Sequence, residues 1–329
     1  MRVSCAFPTT ASSPEDVRTA EQIGYERAWL YDTPQQSPDV WMSLALAAER
    51  TSRIGLGPGV LVPTLRHPMT NAAATAALAD LAPGRVAVAF GTGFTGRRAM
   101  GYRAIPWSYM EAYIGAYAAL LRGEIIEWEG ARMQMLHPDG SAPARPIDVP
   151  ILIAALGPKG RAVAARYDGV FATTTVEGLE PGAFDWVAYL YWGTVLGTDE
   201  ELSSERVRAA GGPGGALAYH ATYELYGRDA VSQLPGGVEW LAAIDKRAVN
   251  ERHLDVHAGH CIHLNDADQA AWDVTNGALL PSTTVTGRPD EVRAKVDELA
   301  AKGVTEMVFQ PCGPDLRHEL EAMFAAANT

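Results

Sequence analysis

The chain of 329 residues is 47% hydrophobic and 20% charged, a composition that supplies a sizeable core and excludes wholesale disorder. Its formal net charge is −12, and no cluster of Lys and Arg is dense enough to bind nucleic acid or an anionic membrane, so we expect a small-molecule partner. The 3 cysteines lack metal or disulfide spacing, no apolar run could span a membrane, and the opening stretch lacks a signal-peptide core, so we expect a cytoplasmic protein.

Short apolar strands alternate with helices along the chain. The strands are predicted at residues 3–7, 27–31, 54–62, 86–90, 151–155, 169–173, 216–219 and 306–309. The helices are predicted at residues 13–23, 39–51, 67–81, 109–121, 161–167, much of 229–272, 288–303 and 316–324, with a small hairpin at 125–133.

Eight buried strands alternating with helices are typical of an α/β protein built as a single (β/α)8 TIM barrel. A long helical insertion precedes the last strand, and residues 1–329 are interpreted as one domain. The alternative is an open doubly wound or nine-stranded sheet, but no Gly-x-Gly-x-x-Gly follows the first strand. In the predicted barrel, the C-terminal ends of the strands face one pocket.

Two glycine-rich loops follow predicted strands. The first, at residues 91–98, places Gly91, Thr92 and Gly93 before Arg97 and Arg98, and the second, at residues 154–161, leads into a helix. Glycines let the backbone approach a ligand, while arginines and a helix N-terminus suit an anion. Together the loops predict a phosphate cradle between neighbouring strands; the alternative is a pair of ordinary turns with solvated cations.

The predicted strand ends are poor in catalytic acids and bases. They comprise Asp32 and Thr33, residues 59–63, 91–98, 155–160 and 173–175, His220 and Gln310. Asp32 is the only carboxylate in that set, and no Ser-His-Asp or Cys-His arrangement can be assembled. Such a pocket indicates that a bound cofactor supplies the chemistry.

Histidines cluster in residues 253–263. A helix through this stretch would bring His253, His257 and His260 to one face. Zinc binding is one interpretation, although Gly259 interrupts the spacing and no acidic general base follows it. The others are polar residues of a surface helix, or a pocket-facing proton donor, for which we select His257 and His260.

Several motifs in order resemble the bacterial-luciferase-like oxidoreductases, barrels that bind FMN or the deazaflavin coenzyme F420. The matching stretches are residues 24–29, 51–57, 64–68, 83–85, 91–93, 150–155, 157–158 and 287–292. The resemblance spans most of the chain but is weak at residues 184–282, which we interpret as the variable substrate-specificity segment.

The resemblance also implies roles for individual residues. Gly59 and Val60 would back the flavin ring, often with a non-proline cis peptide in this family, and the Gly91–Gly93 stretch would contact the ribityl chain. The remaining cofactor-binding residues are predicted to be Asp32, Arg97, Ala155, Gly157, Pro158, Lys159 and Gly160, with the last four at the phosphate. Thr33 and Phe94 stand where deazaflavin-dependent sugar-phosphate dehydrogenases carry a histidine and a glutamate, which argues against that activity. Together with His220 they are assigned to the substrate pocket.

The cofactor is expected to be F420, with FMN as the alternative. Arg97, Arg98, Lys159 and Arg161 exceed the charge that one phosphate requires, and F420 carries a polyglutamate tail. The predicted function is hydride transfer to or from a small organic substrate. The alternatives are an FMN-dependent monooxygenase using O2, a non-catalytic flavin-binding protein and a metal-dependent hydrolase. Alanine-rich helices favour a homodimer.

Overall fold

The computed structural model describes residues 1–155, 157–173 and 175–328. The strands are Arg2–Phe7 (β1), Arg27–Leu30 (β2), Gly55–Leu61 (β3), Val88–Phe90 (β4), Ile126–Trp128 (β5), Ala131–Met133 (β6), Ile151–Ile153 (β7), Gly169–Thr173 (β8), Val187–Tyr191 (β9) and Glu306–Phe309 (β10). The α-helices are Ser13–Ile23 (α1), Val40–Arg50 (α2), Pro68–Leu81 (α3), Phe94–Arg98 (α4), Trp107–Leu121 (α5), Pro158–Ala164 (α6), Glu205–Tyr226 (α7), Arg228–Val231 (α8), Gly237–Ile244 (α9), Arg252–Val256 (α10), Asp266–Thr275 (α11), Leu280–Thr283 (α12), Pro289–Ala301 (α13) and Leu316–Asn328 (α14). Short 3₁₀ turns occupy Pro63–Leu65 and Val249–Glu251.

Parallel strands close into a barrel in the order β1-β10-β9-β8-β7-β4-β3-β2, while β5 and β6 form a separate antiparallel hairpin. The first strand closes the ring, because Arg2 pairs with Glu306 on one side and Cys5 with Ala28 on the other. Helices α7 to α13 lie between β9 and β10 along the chain, with α7 to α12 forming the insertion and α13 leading into β10. The predicted (β/α)8 barrel with a helical insertion before its last strand is therefore confirmed.

The predicted seventh strand is wrong. Residues 216–219 lie inside α7, and the strand that completes the barrel is β9. The glycines around Pro213 are typical of a loop, which made the apolar stretch after them look like an isolated strand. In the folded chain they let α7 sit directly on the barrel, since a Cβ at Gly214 would lie 2.3 Å from Trp192 Cβ. Tertiary packing here overrides local propensity.

Large aromatic side chains fill the barrel interior. Trp29 and Phe171 meet edge to face with ring centroids 5.2 Å apart, surrounded by small residues such as Ala89 and Ala188. The same apolar cluster continues to the C-terminal ends of the strands through Tyr31, Val60, Trp192, Cys261 and Cys312. This upper layer is the floor of the barrel mouth, and Leu217 of α7 packs against it.

Candidate functional site

The first glycine loop needs its glycines for close packing. Gly93 has φ +83°, a conformation that L side chains rarely adopt, and a Cβ there would lie 2.9 Å from Val62 Cγ1. A Cβ at Gly91 would lie 2.6 Å from Val60 Cγ2. The Gly59–Val60 peptide bond is cis, as the resemblance implies for this position. The backbone of Thr92 is fixed by the N–H of Ile105, which donates to its carbonyl at 2.9 Å.

The two glycine loops are neighbours, as predicted, because β4 and β7 pair in parallel. Ala154 N donates to Phe90 O at 2.8 Å where the two loops begin. In the second loop Ala155 and Gly160 are buried, whereas Gly157, Pro158 and Lys159 are exposed; Leu156 lies outside the described residues.

The two glycines of the second loop differ in the space around them. A Cβ at Gly160 would lie 2.6 Å from Trp107 Cζ2, so this glycine is needed for packing against α5. A Cβ at Gly157 would meet nothing within 4 Å, and the φ of −100° there is accessible to any residue. Gly157 thus lines open space where α6 begins.

The predicted cationic side chains are only partly available. Arg97 Nη1 donates to Thr64 Oγ1 at 2.6 Å and its Nε donates to Arg103 O at 2.7 Å. Arg98 forms an ion pair with Glu224, and its guanidinium lies 5.1 Å from the Phe94 ring centroid. The charge of Arg98 is therefore largely neutralised within the protein, while Lys159 is exposed.

Asp32 lies at the mouth but already has a cationic partner. Arg66 Nη1 donates to its two carboxylate oxygens at 2.8 and 2.7 Å, and Arg66 Nη2 donates to Asp39 at 2.6 Å. Burial raises the pKa of the Asp32 carboxyl even though Arg66 opposes that shift. Thr33 follows in a turn, where its carbonyl accepts from the N–H of Gln36. Arg66 belongs to the motif at residues 64–68, but the sequence did not predict its ion pair with Asp32.

A chain of buried hydrogen bonds runs from the insertion to the mouth. His220 Nε2 lies 2.9 Å from Asp268 Oδ1, and the Nδ1 atoms of His220 and His260 are 2.6 Å apart. His260 Nε2 lies 3.2 Å from the hydroxyl of Thr95, two residues after Gly93. His220 was predicted to lie in the pocket because residues 216–219 were predicted to be a strand, which is wrong. Helix α7 nevertheless brings His220 beside His260 at the mouth.

His257 belongs to a second polar cluster. Its Nε2 lies 3.0 Å from Glu224 Oε1, and its buried Nδ1 has no hydrogen-bond partner among the described residues. Burial lowers the pKa of His257 despite the Glu224 carboxylate. The predicted shared helix face is wrong, because α10 ends at Val256 and Gly259 has φ +62°. The rings of His257 and His260 are nevertheless 5.4 Å apart.

Polar atoms without partners cluster at the floor of the mouth. Tyr31 Oη, Trp192 Nε1 and Gln310 Oε1 are buried and lack hydrogen-bond partners among the described residues. These residues directly follow β2, β9 and β10. Gln310 Nε2 also donates to the carbonyl of Cys261, which lies in the segment between α10 and α11. Buried polar groups are normally satisfied, so this cluster indicates a place where a ligand binds. Trp192 was missed because its strand was missed, and Tyr31 because it was assigned to the strand itself.

Comparison with known proteins agrees with this geometry. A family model described as luciferase-like monooxygenase matches residues 9–184. A 5,10-methylenetetrahydromethanopterin reductase of Archaeoglobus fulgidus is 25% identical, with 93% of this chain and 91% of that protein covered. An F420-dependent glucose-6-phosphate dehydrogenase of Beutenbergia cavernae is 34% identical over 49% of this chain and 52% of its own length.

A similar fold is found among solved structures. The coenzyme F420 dependent tetrahydromethanopterin reductase from Methanopyrus kandleri superposes with a TM-score of 0.66 at 20% identity, covering 98% of this chain and 97% of that one. Among the residues that the structure describes, no helix is long and apolar enough to cross a membrane.

Proposed function

We propose that this chain, which belongs to the luciferase-like monooxygenase family, binds coenzyme F420 at the C-terminal mouth of its barrel and transfers hydride to or from a small organic substrate. The chain is a flavin- or F420-dependent oxidoreductase, and relatives whose names specify F420 support the deazaflavin. The observation that carries the proposal is the set of unpartnered polar atoms on the floor of the mouth, across the barrel from the two neighbouring glycine loops. The polar floor fits the ring of a large planar ligand, and the glycine loops fit its anionic tail.

Each loop has a distinct part in the proposed binding. Val60 backs the ring, the Gly91–Gly93 backbone follows the ribityl chain, and Gly157 to Gly160 hold the phosphate, with exposed Lys159 beside it. Asp32 contributes through its ion pair with Arg66, which fixes the loop after β2. When bound, the deazaflavin supplies the carbon that accepts or gives the hydride.

The protein must also move a proton when hydride leaves or reaches a carbon that bears oxygen. Of the two histidines predicted to be catalytic, His260 has the better geometry, since its Nε2 faces Thr95 at the mouth. His257 faces Glu224 instead. Phe94 and Thr33 then border the substrate, and residues 184–282 set its identity, as the sequence predicts.

Cofactor choice is tested by equilibrium titration of the purified protein with F420 and with FMN at low and high salt. We expect F420 to bind more tightly and to lose affinity faster as salt rises, because exposed charge pairs with its acidic tail are screened. Tight FMN binding with O2-consuming turnover and no F420 affinity would instead establish the monooxygenase. Cofactor binding without turnover on any electron acceptor or donor would favour the non-catalytic binding protein.

Gly157→Val is expected to weaken F420 binding tenfold or more, about 1.4 kcal/mol, without disturbing the fold. The new side chain meets no protein atom within 4 Å at its Cβ, so its bulk projects into the proposed phosphate position. Gly115→Val is the matched control, because a Cβ there also meets nothing and α5 exposes that position. Equal F420 affinities in the two variants, by fluorescence titration, would exclude this loop from the site.

We also propose a homodimer in the cytoplasm. Met42 and Leu46, one turn apart on α2, are 70% and 50% exposed, which supports an apolar contact with a second copy. Cys5, Cys261 and Cys312 are buried free thiols, as suits a reducing compartment. Sedimentation equilibrium of the wild type and of Met42→Lys tests the dimer, and a monomeric wild type would refute it.

A further inference from the structure

The buried chain Asp268–His220–His260–Thr95 joins three parts of the insertion to the barrel mouth. Asp268 lies on α11, His220 on α7 and His260 in the segment after α10, and Thr95 lies on α4 beside the first glycine loop. The three members from the insertion are at least 94% buried, and the successive contacts are 2.9, 2.6 and 3.2 Å.

Asp268 can only accept hydrogen bonds in this arrangement. Trp240 Nε1 lies 2.8 Å from its Oδ1, and the backbone N of Asn265 lies 3.2 Å from its Oδ2. An indole N–H and a backbone N–H are donors only, so both oxygens act as acceptors, as in an ionised carboxylate. The third contact, at Oδ1, must then be donated by His220 Nε2–H.

The tautomers of both histidines follow from that donor when His220 is neutral. A neutral His220 with its proton on Nε2 has a lone pair on Nδ1, which requires His260 to donate from its own Nδ1. His260 Nε2 is then unprotonated and accepts from the Thr95 hydroxyl. Burial, with the neighbouring His220 and His257, lowers the pKa of His260 well below its usual value, so its resting state is neutral.

We infer that Asp268 and His220 are positioning residues that hold His260 at the barrel mouth with its Nε2 unprotonated. When His260 takes up a proton there, the positive charge passes to His220, where the Asp268 carboxylate stabilises it. This inference rests on the proposed oxidoreductase function, and it specifies the substrate class as an alcohol and carbonyl pair. It also gives the insertion a chemical role in addition to specificity.

The electrons and protons balance in one step. In the oxidising direction, the substrate C–H bond breaks and the hydride leaves with two electrons to the cofactor, while the O–H proton passes to Thr95 Oγ. The hydroxyl proton of Thr95 passes to His260 Nε2, and the Nδ1 proton of His260 passes to His220 Nδ1. The positive charge then lies on His220 against the Asp268 carboxylate, and carbonyl reduction runs the same transfers backwards.

The other titratable groups near His220 and His260 are paired with one another. The His257 ring lies 5.4 Å from His260 and 6.4 Å from His220, centroid to centroid. His257 contacts Glu224, which is paired with Arg98. Asp268 is therefore the carboxylate hydrogen-bonded to the pair itself, and its removal should lower the pair's apparent pKa.

The relay is tested first without cofactor, by NMR of the full chain labelled with ¹⁵N-histidine. We expect wild-type His220 to carry its proton on Nε2 and His260 on Nδ1. Asp268→Asn is nearly isosteric and should lower the apparent pKa of the pair by about one unit or more. Glu224→Gln is the matched control, because it removes the other carboxylate near a histidine and should change the signals of His257 but not the tautomer of His260.

Activity is measured with F420 and the best-turned-over member of a panel of small alcohols and ketones. Asp268→Asn should reduce kcat about 10²-fold, with KM and F420 affinity within about twofold, and should move the acid limb of kcat/KM to lower pH. His220→Gln keeps both hydrogen bonds but cannot accept a proton, so it should reduce kcat while preserving the His260 tautomer. Asp268→Glu keeps the carboxylate, so its acid limb should lie closer to that of the wild type than the acid limb of Asp268→Asn does. An unchanged titration of the pair in folded Asp268→Asn or an Nε2–H tautomer of His260 would overturn the relay, whereas absence of F420 binding would overturn only the proposed function.

Discussion

His260→Ala is expected to lower kcat by about 10²- to 10⁴-fold, the usual contribution of a positioned general acid or base. The imidazole Nε2 is 3.2 Å from Thr95 Oγ1, and Thr95 stands two residues after Gly93 in the loop that is proposed to bind the cofactor. Removing the ring leaves the Thr95 hydroxyl without a group to take its proton. The Gly91–Gly93 backbone is untouched, so F420 affinity should change less than about twofold.

His257→Ala is the matched comparison, since both histidines are buried and their rings lie side by side. We expect a smaller loss, under about tenfold, because His257 Nε2 contacts Glu224 and not the mouth. Steady-state F420 reduction and fluorescence titration of both variants check this difference. A wild-type kcat in His260→Ala, or an equal loss in both variants, would contradict the assignment.

The barrel was predictable from the sequence where apolar runs are continuous and bounded by turn residues. Residues 169–173 and 306–309 are predicted to the residue, since each is buried on both faces as parallel strands are. The seventh strand was not predictable in this way. The sequence pattern of β9 is ordinary, but a competing apolar stretch in α7 follows glycines that resemble a turn. Those glycines are explained by tertiary packing, such as that of Gly214 on Trp192 and of Gly215 on Leu280.

The candidate site was predictable in its loops but not in its polar partners. Strand order alone makes the two glycine loops neighbours, because each follows a strand of the same parallel pair. The histidine relay depends instead on contacts across 40 and 48 residues of sequence, such as that between His220 and Asp268. Local periodicity carries no information on which carboxylate α11 presents to α7, so Asp268 and Trp240 were missed.

A second large effect is expected at the opposite end of the barrel, where Glu306→Leu should lower the free energy of unfolding by about 3–5 kcal/mol. Glu306 is 1% exposed and accepts from the indole N–H groups of Trp29, at 3.0 Å, and Trp186. Arg2 lies 3.7 Å from the same carboxylate. Burial lowers the pKa of the neighbouring Arg27 to about 10, so this cation is already costly and Glu306 is its compensating charge.

Leucine fills a similar volume but leaves the indole donors of buried Trp29 and half-buried Trp186 without their acceptor, and buried Arg27 without its compensating charge. Each unsatisfied buried donor costs about 1–3 kcal/mol. Glu306→Gln removes the charge and one of the two acceptor oxygens but keeps an acceptor for one indole, so we expect a smaller decrease. Guanidinium unfolding followed by circular dichroism measures both midpoints, with the m-value checking that the same surface is exposed. A Glu306→Leu variant as stable as the wild type would mean that the two tryptophans and Arg27 hold the bottom of the barrel without the carboxylate.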